Sequence, residues 1–200
     1  MKKFIVALLA LIPFVISAQT IVSTSPQNKN VILEQYTGIN CGFCPQGTTI
    51  ANQIYNANPT RVVIIAIHAG NYSNPSAGQP DFRTPFGTAL VNQSLLSGFP
   101  AGSINRHVFP DYSMTPPNGT AMGRGYWASA ANQIMGESSY VNVGATAEID
   151  LLSREITVYV EAYYTGNSPV STNKINIVLL QDKTYGFQAN GGSNYEHNTA

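Results

Sequence analysis

The two cysteines of the chain, Cys41 and Cys44, lie in the stretch TGINCGFCPQG. A Cys-x-x-Cys pair can exchange disulfides with other proteins, contribute to a metal site or form a disulfide that only stabilises the fold. A helix N-terminus carries partial positive charge and free N–H groups, which favour a thiolate. Since Cys41 follows a strand and opens a helix, we expect it to be the more exposed, attacking thiol. Cys44, one turn further on, would be the resolving thiol.

A metal site is the weakest interpretation of this pair. A closed zinc site needs four ligands, and the histidines number three, His68, His107 and His197, none adjacent to another in the sequence. We therefore expect no metal and no cofactor. The choice between a redox-active pair and a purely structural disulfide stays open on the motif alone.

The first eighteen residues predict the compartment. Lys2 and Lys3 precede an apolar run that extends from Phe4 to Ile16, and Ala18 is a small residue at a suitable cleavage position. This is the layout of a secretory signal peptide, and its apolar run is too short to favour a membrane-spanning helix. We expect export to the periplasm, the outer membrane or the extracellular space, where disulfides persist.

The charge of the mature chain excludes one class of partner. The signal peptide holds two of the ten Lys and Arg residues and none of the ten Asp and Glu residues, which leaves a net charge of −2. Without a basic patch or a run of like charge, we expect no nucleic-acid partner. We also expect no transmembrane segment in the mature chain.

The elements around the cysteines predict an α/β domain. Residues 31–36 read as a buried strand, a helical pattern follows the cysteines as far as Asn58, and residues 61–68 form a β-branched run. A strand, a helix and a strand within this length predict two parallel strands. Thr84 and Pro85 predict the cap and first turn of a helix that ends near residue 96. We also expect a short strand at 103–109 and a looser helix at 120–135.

The pattern changes near residue 140. Residues 141–150, 155–164 and 174–181 predict three strands separated by turns, which is typical of an antiparallel sandwich. We therefore predict a signal peptide at 1–18, a linker at 19–27, an α/β domain at 28–136 and the start of a β-sandwich domain at 140–200. Since an immunoglobulin-type sandwich needs about seven strands, we expect this second domain to be truncated.

Three stretches, VILEQYTGINCGFCPQG, IHAG and GFPAGSINR, together resemble the thioredoxin-like fold. More narrowly, they resemble the exported twenty-eight-kilodalton outer-membrane-protein family, which joins a thioredoxin-like domain to a C-terminal β-sandwich. The resemblance covers about residues 30–106. It implies a mixed sheet flanked by helices, a disulfide between Cys41 and Cys44, and a cis-proline, Pro100, facing that pair. Cys41, Cys44 and Pro100 are then the expected catalytic residues.

The sequence departs from the thioredoxin pattern at two positions. Thioredoxins usually have Trp before the first cysteine, where this chain has Asn40, and many have a buried acid six residues before it, where this chain has Gln35. Glu34 is adjacent, but neighbouring strand residues face opposite sides of a sheet. His68 ends the second parallel strand at the same sheet edge, where α/β sites form. Glu34, Gln35 and His68 are therefore auxiliary candidates.

Two functions from different classes remain open. One is a thiol–disulfide oxidoreductase that acts on exported protein thiols or disulfides together with a redox partner. The other is an outer-membrane or surface binding protein that keeps the scaffold and uses the disulfide only for stability. Cys41, Cys44 and Pro100 favour the first function, whereas Gln35 and Asn40 favour the second. We interpret Arg106 and His107, on a strand that leaves the site, as structural.

Overall fold

The computed structural model describes residues 20–199. They divide into two units, one formed by residues 27–139 and 168–199, the other by residues 20–26 and 140–167. The predicted signal peptide lies outside the described residues. None of the helices within residues 20–199 is long and apolar enough to cross a membrane.

The larger unit contains a mixed six-stranded sheet. Its strands are β1 (Val31–Thr37), β2 (Val62–His68), β3 (Ala101–Ile104), β4 (Met122–Gly123), β7 (Gln181–Gln188) and β8 (Gly192–Thr199), and their order in space is β4-β3-β1-β2-β8-β7. β1 and β2 are parallel, with Thr37 opposite His68, so the predicted parallel pair is confirmed. β3 lies antiparallel to β1, with Glu34 opposite Ser103.

Three helices accompany this sheet: α1 (Cys44–Ala57), α2 (Pro85–Ser94) and α3 (Trp127–Gly136). Pro45 falls in the first turn of α1, where a missing N–H costs little. The Thr84 side chain accepts a hydrogen bond from the Gly87 N–H at 2.9 Å, which confirms the predicted cap of α2. The predicted helix at 120–135 is shorter, because β4 and a single 3₁₀ turn precede Trp127.

The apolar core of the larger unit divides into two clusters of side chains. One cluster joins β1, α1 and α3 through residues such as Leu33, Ala51 and Trp127. The Trp127 indole is fully buried and donates from Nε1 to the Met122 carbonyl at 3.2 Å. The second cluster includes Tyr36 and Ile67, with Leu90 of α2 packed against it. Both surfaces of the β1–β2 pair are therefore covered, as the nearly continuous apolar strands predict, except at Ile32 and Val63, which lie opposite each other and are exposed.

The smaller unit is built on a two-stranded antiparallel hairpin. Its strands, β5 (Val141–Asp150) and β6 (Glu155–Tyr164), pair along their whole length, and both have the predicted bounds. Residues 20–26 were predicted to be a linker, but they pack in this unit. The Asn142 side-chain amide donates to the carbonyls of Ser23 and Ser25, both at 2.8 Å, and the Ile21 N–H donates to the Glu161 carboxylate at 2.7 Å.

The predicted strand at 174–181 and the predicted second domain at 140–200 both differ from the structure. Residues 172–180 have no regular secondary structure, because a strand needs a neighbouring backbone to pair with as well as an apolar sequence. The strands β7 and β8 form a hairpin that belongs to the six-stranded sheet of the larger unit. The predicted strand at 103–109 is likewise shorter and ends at Ile104.

Candidate functional site

The cysteine pair closes the loop between β1 and α1. Cys41 and Cys44 form a disulfide, as the resemblance implied. The Cys44 N–H donates to the Cys41 carbonyl at 3.1 Å, and α1 begins at Cys44 rather than at Cys41. Cys41 is the more exposed of the two, in the predicted order, but both are buried: Cys41 is only 3% exposed and Cys44 only 1%. An incoming thiolate therefore has almost no accessible surface to attack in this state.

One side of the cysteine loop is held by the segment after β2. The Asn40 N–H donates to the Tyr72 carbonyl at 2.8 Å, and the Asn40 side chain donates to the Asn74 carbonyl at 2.7 Å. The position that thioredoxins fill with Trp thus carries an amide that fixes the loop. A Cβ added to Gly38 would lie 2.6 Å from the Tyr72 carbonyl carbon and oxygen, so this close approach requires glycine.

Pro100 lies beside the first helix. The Phe99–Pro100 peptide bond is cis, as predicted. A Cβ added to Gly47 of α1 would lie 3.1 Å from the Pro100 Cβ and 3.4 Å from the ring of Trp127. Pro100 is therefore packed one turn along the helix that begins with Cys44, and a larger side chain at Gly47 would separate the two segments.

Gln35 and Glu34 face opposite sides of the sheet, as the alternation along a strand predicts. The Gln35 amide donates from Nε2 to the Thr48 hydroxyl of α1 at 2.9 Å, so Gln35 lies on the face covered by the cysteine helix. Glu34 is buried and accepts two hydrogen bonds from Arg106, at 2.8 and 2.5 Å. This ion pair gives Arg106 a structural role, since its guanidinium balances the charge of the buried Glu34 carboxylate.

The second carboxylate oxygen of Glu34 is also engaged. It accepts from the Tyr36 hydroxyl at 3.1 Å and from the Ser103 hydroxyl at 2.9 Å. Burial, and then the nearby negative charge of Glu34, raise the pKa of Tyr36 to about 12. This network engages both carboxylate oxygens of Glu34 on the face of the sheet opposite the one that Gln35 and α1 share.

His68 is buried at the end of β2, with 2% of its surface exposed. Its ring lies 5.2 Å from the Phe82 ring and 5.1 Å from the His197 ring, measured between centroids. Burial, followed by the charge of His197, lowers the pKa of His68 to about 3. A ring that is neutral at physiological pH supplies no positive charge to a thiolate.

A cavity of about 780 Å³ lies on the α1 face of the same unit, bounded by β2, α1 and the β7–β8 hairpin. His68 and His197 line it, together with Gln35 and Tyr55. Three ring nitrogens of the two histidines, Nδ1 and Nε2 of His68 and Nε2 of His197, have no hydrogen-bond partner among the residues that the structure describes. Within those residues, no group of three or more His, Cys, Asp or Glu side chains could hold a metal ion.

The turn of the β7–β8 hairpin holds the other side of the cysteine loop. The Gln188 amide donates to the carbonyls of Gly38 and Cys41, at 3.1 and 3.0 Å. The Ala189 N–H donates to the Ile39 carbonyl at 2.7 Å, and the Asn190 amide donates to the Gly42 carbonyl at 3.0 Å.

Sequence reasoning missed these residues because it assigned them to a separate sandwich. A signal was present: Asn190 precedes two glycines between two strand-like runs, which is typical of a hairpin turn.

Comparison with known proteins adds one distant structural likeness. No family model matches the chain, and no curated protein matches it significantly. Among solved structures, the chain is similar to HBP35 of Porphyromonas gingivalis, with 22% identity and a TM-score of 0.41. The match covers 60% of this chain and 38% of that protein. A likeness this weak establishes neither a family nor a function.

Proposed function

We propose that this chain is an exported protein with a thioredoxin-like domain that exchanges disulfides with other extracytoplasmic proteins through Cys41 and Cys44. The observation that carries the proposal is the disulfide between these residues, placed between a buried parallel strand and the first turn of a helix. The mixed sheet with flanking helices agrees with what the sequence resemblance implies for the fold. The signal-peptide pattern supports export.

The exchange follows the chemistry of any Cys-x-x-Cys pair. In the reduced protein, the Cys41 thiolate attacks one sulfur of a substrate disulfide, and the other substrate sulfur leaves as a thiolate. The Cys44 thiolate then attacks Cys41, which restores the Cys41–Cys44 disulfide and releases the reduced substrate. Two electrons pass from the protein to the substrate, and a separate dithiol partner, itself oxidised to a disulfide, must supply two more to reduce the Cys41–Cys44 disulfide again. In the opposite direction, the same steps oxidise substrate thiols.

The role of Pro100 in this proposal is to line the substrate side of the pair. Its ring packs on Gly47 of the cysteine helix, and we expect an extended peptide to pair with the backbone that precedes Pro100. Gln35 cannot accept or release a proton as an acid in its place would. We therefore expect slower proton transfer to Cys44 than in a protein that carries an acid there.

The test is insulin reduction with dithiothreitol as the electron source, run beside refolding of a reduced, denatured substrate. We expect the wild-type protein to accelerate at least one reaction, and Cys41→Ser and Cys44→Ser to accelerate neither. Circular dichroism of both variants checks that they fold. A wild-type protein no faster than the two variants in both reactions would refute the proposed exchange.

A second function, binding without turnover, is favoured by the burial of both cysteines and by Gln35. In that case the disulfide stabilises the loop, and the two substitutions lower stability without changing any exchange rate. The reduction potential separates the two functions, because structural disulfides in secreted proteins resist reduction by glutathione.

A further inference from the structure

We propose that the turn of the β7–β8 hairpin, residues 188–192, is a gate that closes over the cysteine loop and controls access to the Cys41–Cys44 disulfide. The inference rests on the proposed function, because it describes how that exchange is regulated. The segment that covers the cysteine loop is therefore a part of this chain and not a separate partner.

The contacts of the turn are directed at the cysteine loop itself. Gln188, which is 2% exposed, donates to the carbonyls of Gly38 and Cys41. Asn190 donates to the carbonyl of Gly42, and a Cβ added to Gly42 would lie 3.0 Å from the Asn190 amide nitrogen. The turn is thus seated on the residue that follows Cys41, at van der Waals distance.

The proposed gate acts through access to the two sulfurs. Thiol–disulfide exchange requires an incoming thiolate to reach a disulfide sulfur as the other sulfur leaves, and access therefore limits the rate. Cys41 and Cys44 are 3% and 1% exposed, whereas Phe43 between them is 69% exposed. The loop reaches the surface while its sulfurs do not, so exchange needs a state in which a covering segment has moved.

The turn lies at the closed end of the hairpin, away from the pairing of β8 with β2. β7 and β8 pair with each other from Gln181–Thr199 to Gln188–Gly192, with two register shifts. Among the described residues, β8 pairs with β2 at Ala66–Thr199, the last residue of β8. The segment before the hairpin, residues 172–180, has no regular secondary structure. Local opening of loops costs less free energy than unfolding of the strands and helices of a core.

The gate is held by polar contacts that substitutions can remove singly. Gln188→Ala removes two hydrogen bonds to the loop. Asn190→Gly removes one more and suits the backbone, because Asn190 has a left-handed φ of 59° that glycine adopts without strain. The bond from the Ala189 N–H to the loop remains in both variants, so the turn is loosened and not deleted.

The experiment measures how fast the disulfide of the oxidised protein is reduced by excess dithiothreitol, with acid quenching, alkylation and mass spectrometry. We expect the Gln188→Ala/Asn190→Gly variant to be reduced about tenfold faster than the wild type, which corresponds to three lost hydrogen bonds of modest net strength. Gln53→Ala, an exposed change on α1, is the matched control and should leave the rate unchanged.

The outcomes separate the gate from the proposed function. Rates of the double variant within about twofold of the wild type overturn the gate, since the difference expected from the lost hydrogen bonds is larger. If circular dichroism shows that the double variant does not fold, Asn190→Gly alone decides: faster reduction supports the gate and an equal rate overturns it. Failure of both wild type and open variant to accelerate either insulin reduction or substrate refolding refutes the proposed function but leaves the gate standing, because dithiothreitol reduction does not require a protein substrate.

Discussion

Acidification should destabilise the larger unit through its buried histidines. His68 has a pKa of about 3 in the folded protein, against 6.5 when it is not perturbed, because burial opposes its charged form and His197 adds repulsion. Burial also lowers the pKa of His197. Below about pH 6.5 the unfolded state therefore binds more protons than the folded state, and the free energy of unfolding falls as the pH falls.

The magnitude follows from the size of the shift. One unit of difference in pKa corresponds to about 1.4 kcal/mol, and the stabilising contribution is complete above about pH 7. Between about pH 7 and pH 5, His68 alone should lower the free energy of unfolding by about 2 kcal/mol. The loss continues toward pH 3, and His197 adds to it in the same direction. Asp182, Glu196 and Tyr195 line the same cavity.

The assay is urea unfolding followed by the fluorescence of the buried Trp127, at about pH 7 and pH 5 and constant ionic strength. His68→Phe replaces the ring with an uncharged aromatic side chain beside Phe82. It should lose about 2 kcal/mol less stability than the wild type over this pH range. His107→Phe, at an exposed position, should behave like the wild type. Equal pH dependence of the wild type and His68→Phe would refute this account of His68.

Three further substitutions test the framework of the site. Arg106→Met leaves the buried Glu34 carboxylate without its cation and should lower the free energy of unfolding, measured in urea, by about 2 kcal/mol. The loss is smaller than for a fully buried pair because Arg106 is partly exposed. Part of the lost stability should return in the double variant Arg106→Met/Glu34→Gln, which checks the pairing. Gly38→Ala should cost about 2 kcal/mol or more and lower the melting temperature, because the added methyl group meets the Tyr72 backbone, and an unchanged temperature would contradict this close approach. Thr84→Ala should cost about 1 kcal/mol in the same unfolding assay through loss of the cap of α2, whereas Thr84→Ser should not.

The elements nearest the cysteines were predictable from the sequence because they are local. The β-branched run before His68 and the cap at Thr84 each carry their signal within a few residues. The opposite orientations of Glu34 and Gln35 likewise follow from strand alternation alone. What could not be predicted is the set of partners of Glu34, since Arg106 and Ser103 lie about seventy residues further along the chain.

The burial of the cysteines is the part of the site that the sequence reasoning missed. Local reasoning placed Cys41 at a helix start and gave no sign of its burial, and Gln188, which donates to the Cys41 carbonyl, lies 147 residues away. The turn around Asn190 was recognisable as a hairpin, yet nothing within the hairpin specifies which sheet edge it joins. Edge pairing depends on the backbone groups that a strand leaves free, so the sequence pattern of one strand cannot select its neighbour.

The reduction potential of the Cys41–Cys44 pair tests the proposed exchange most directly. It is measured by equilibrating the protein with glutathione buffers of defined ratio and counting free thiols by alkylation and mass spectrometry. A pair that exchanges disulfides should have a potential between about −120 and −270 mV, the range of thiol–disulfide oxidoreductases. A value below about −300 mV, typical of structural disulfides in secreted proteins, would contradict the oxidoreductase proposal and favour a binding protein.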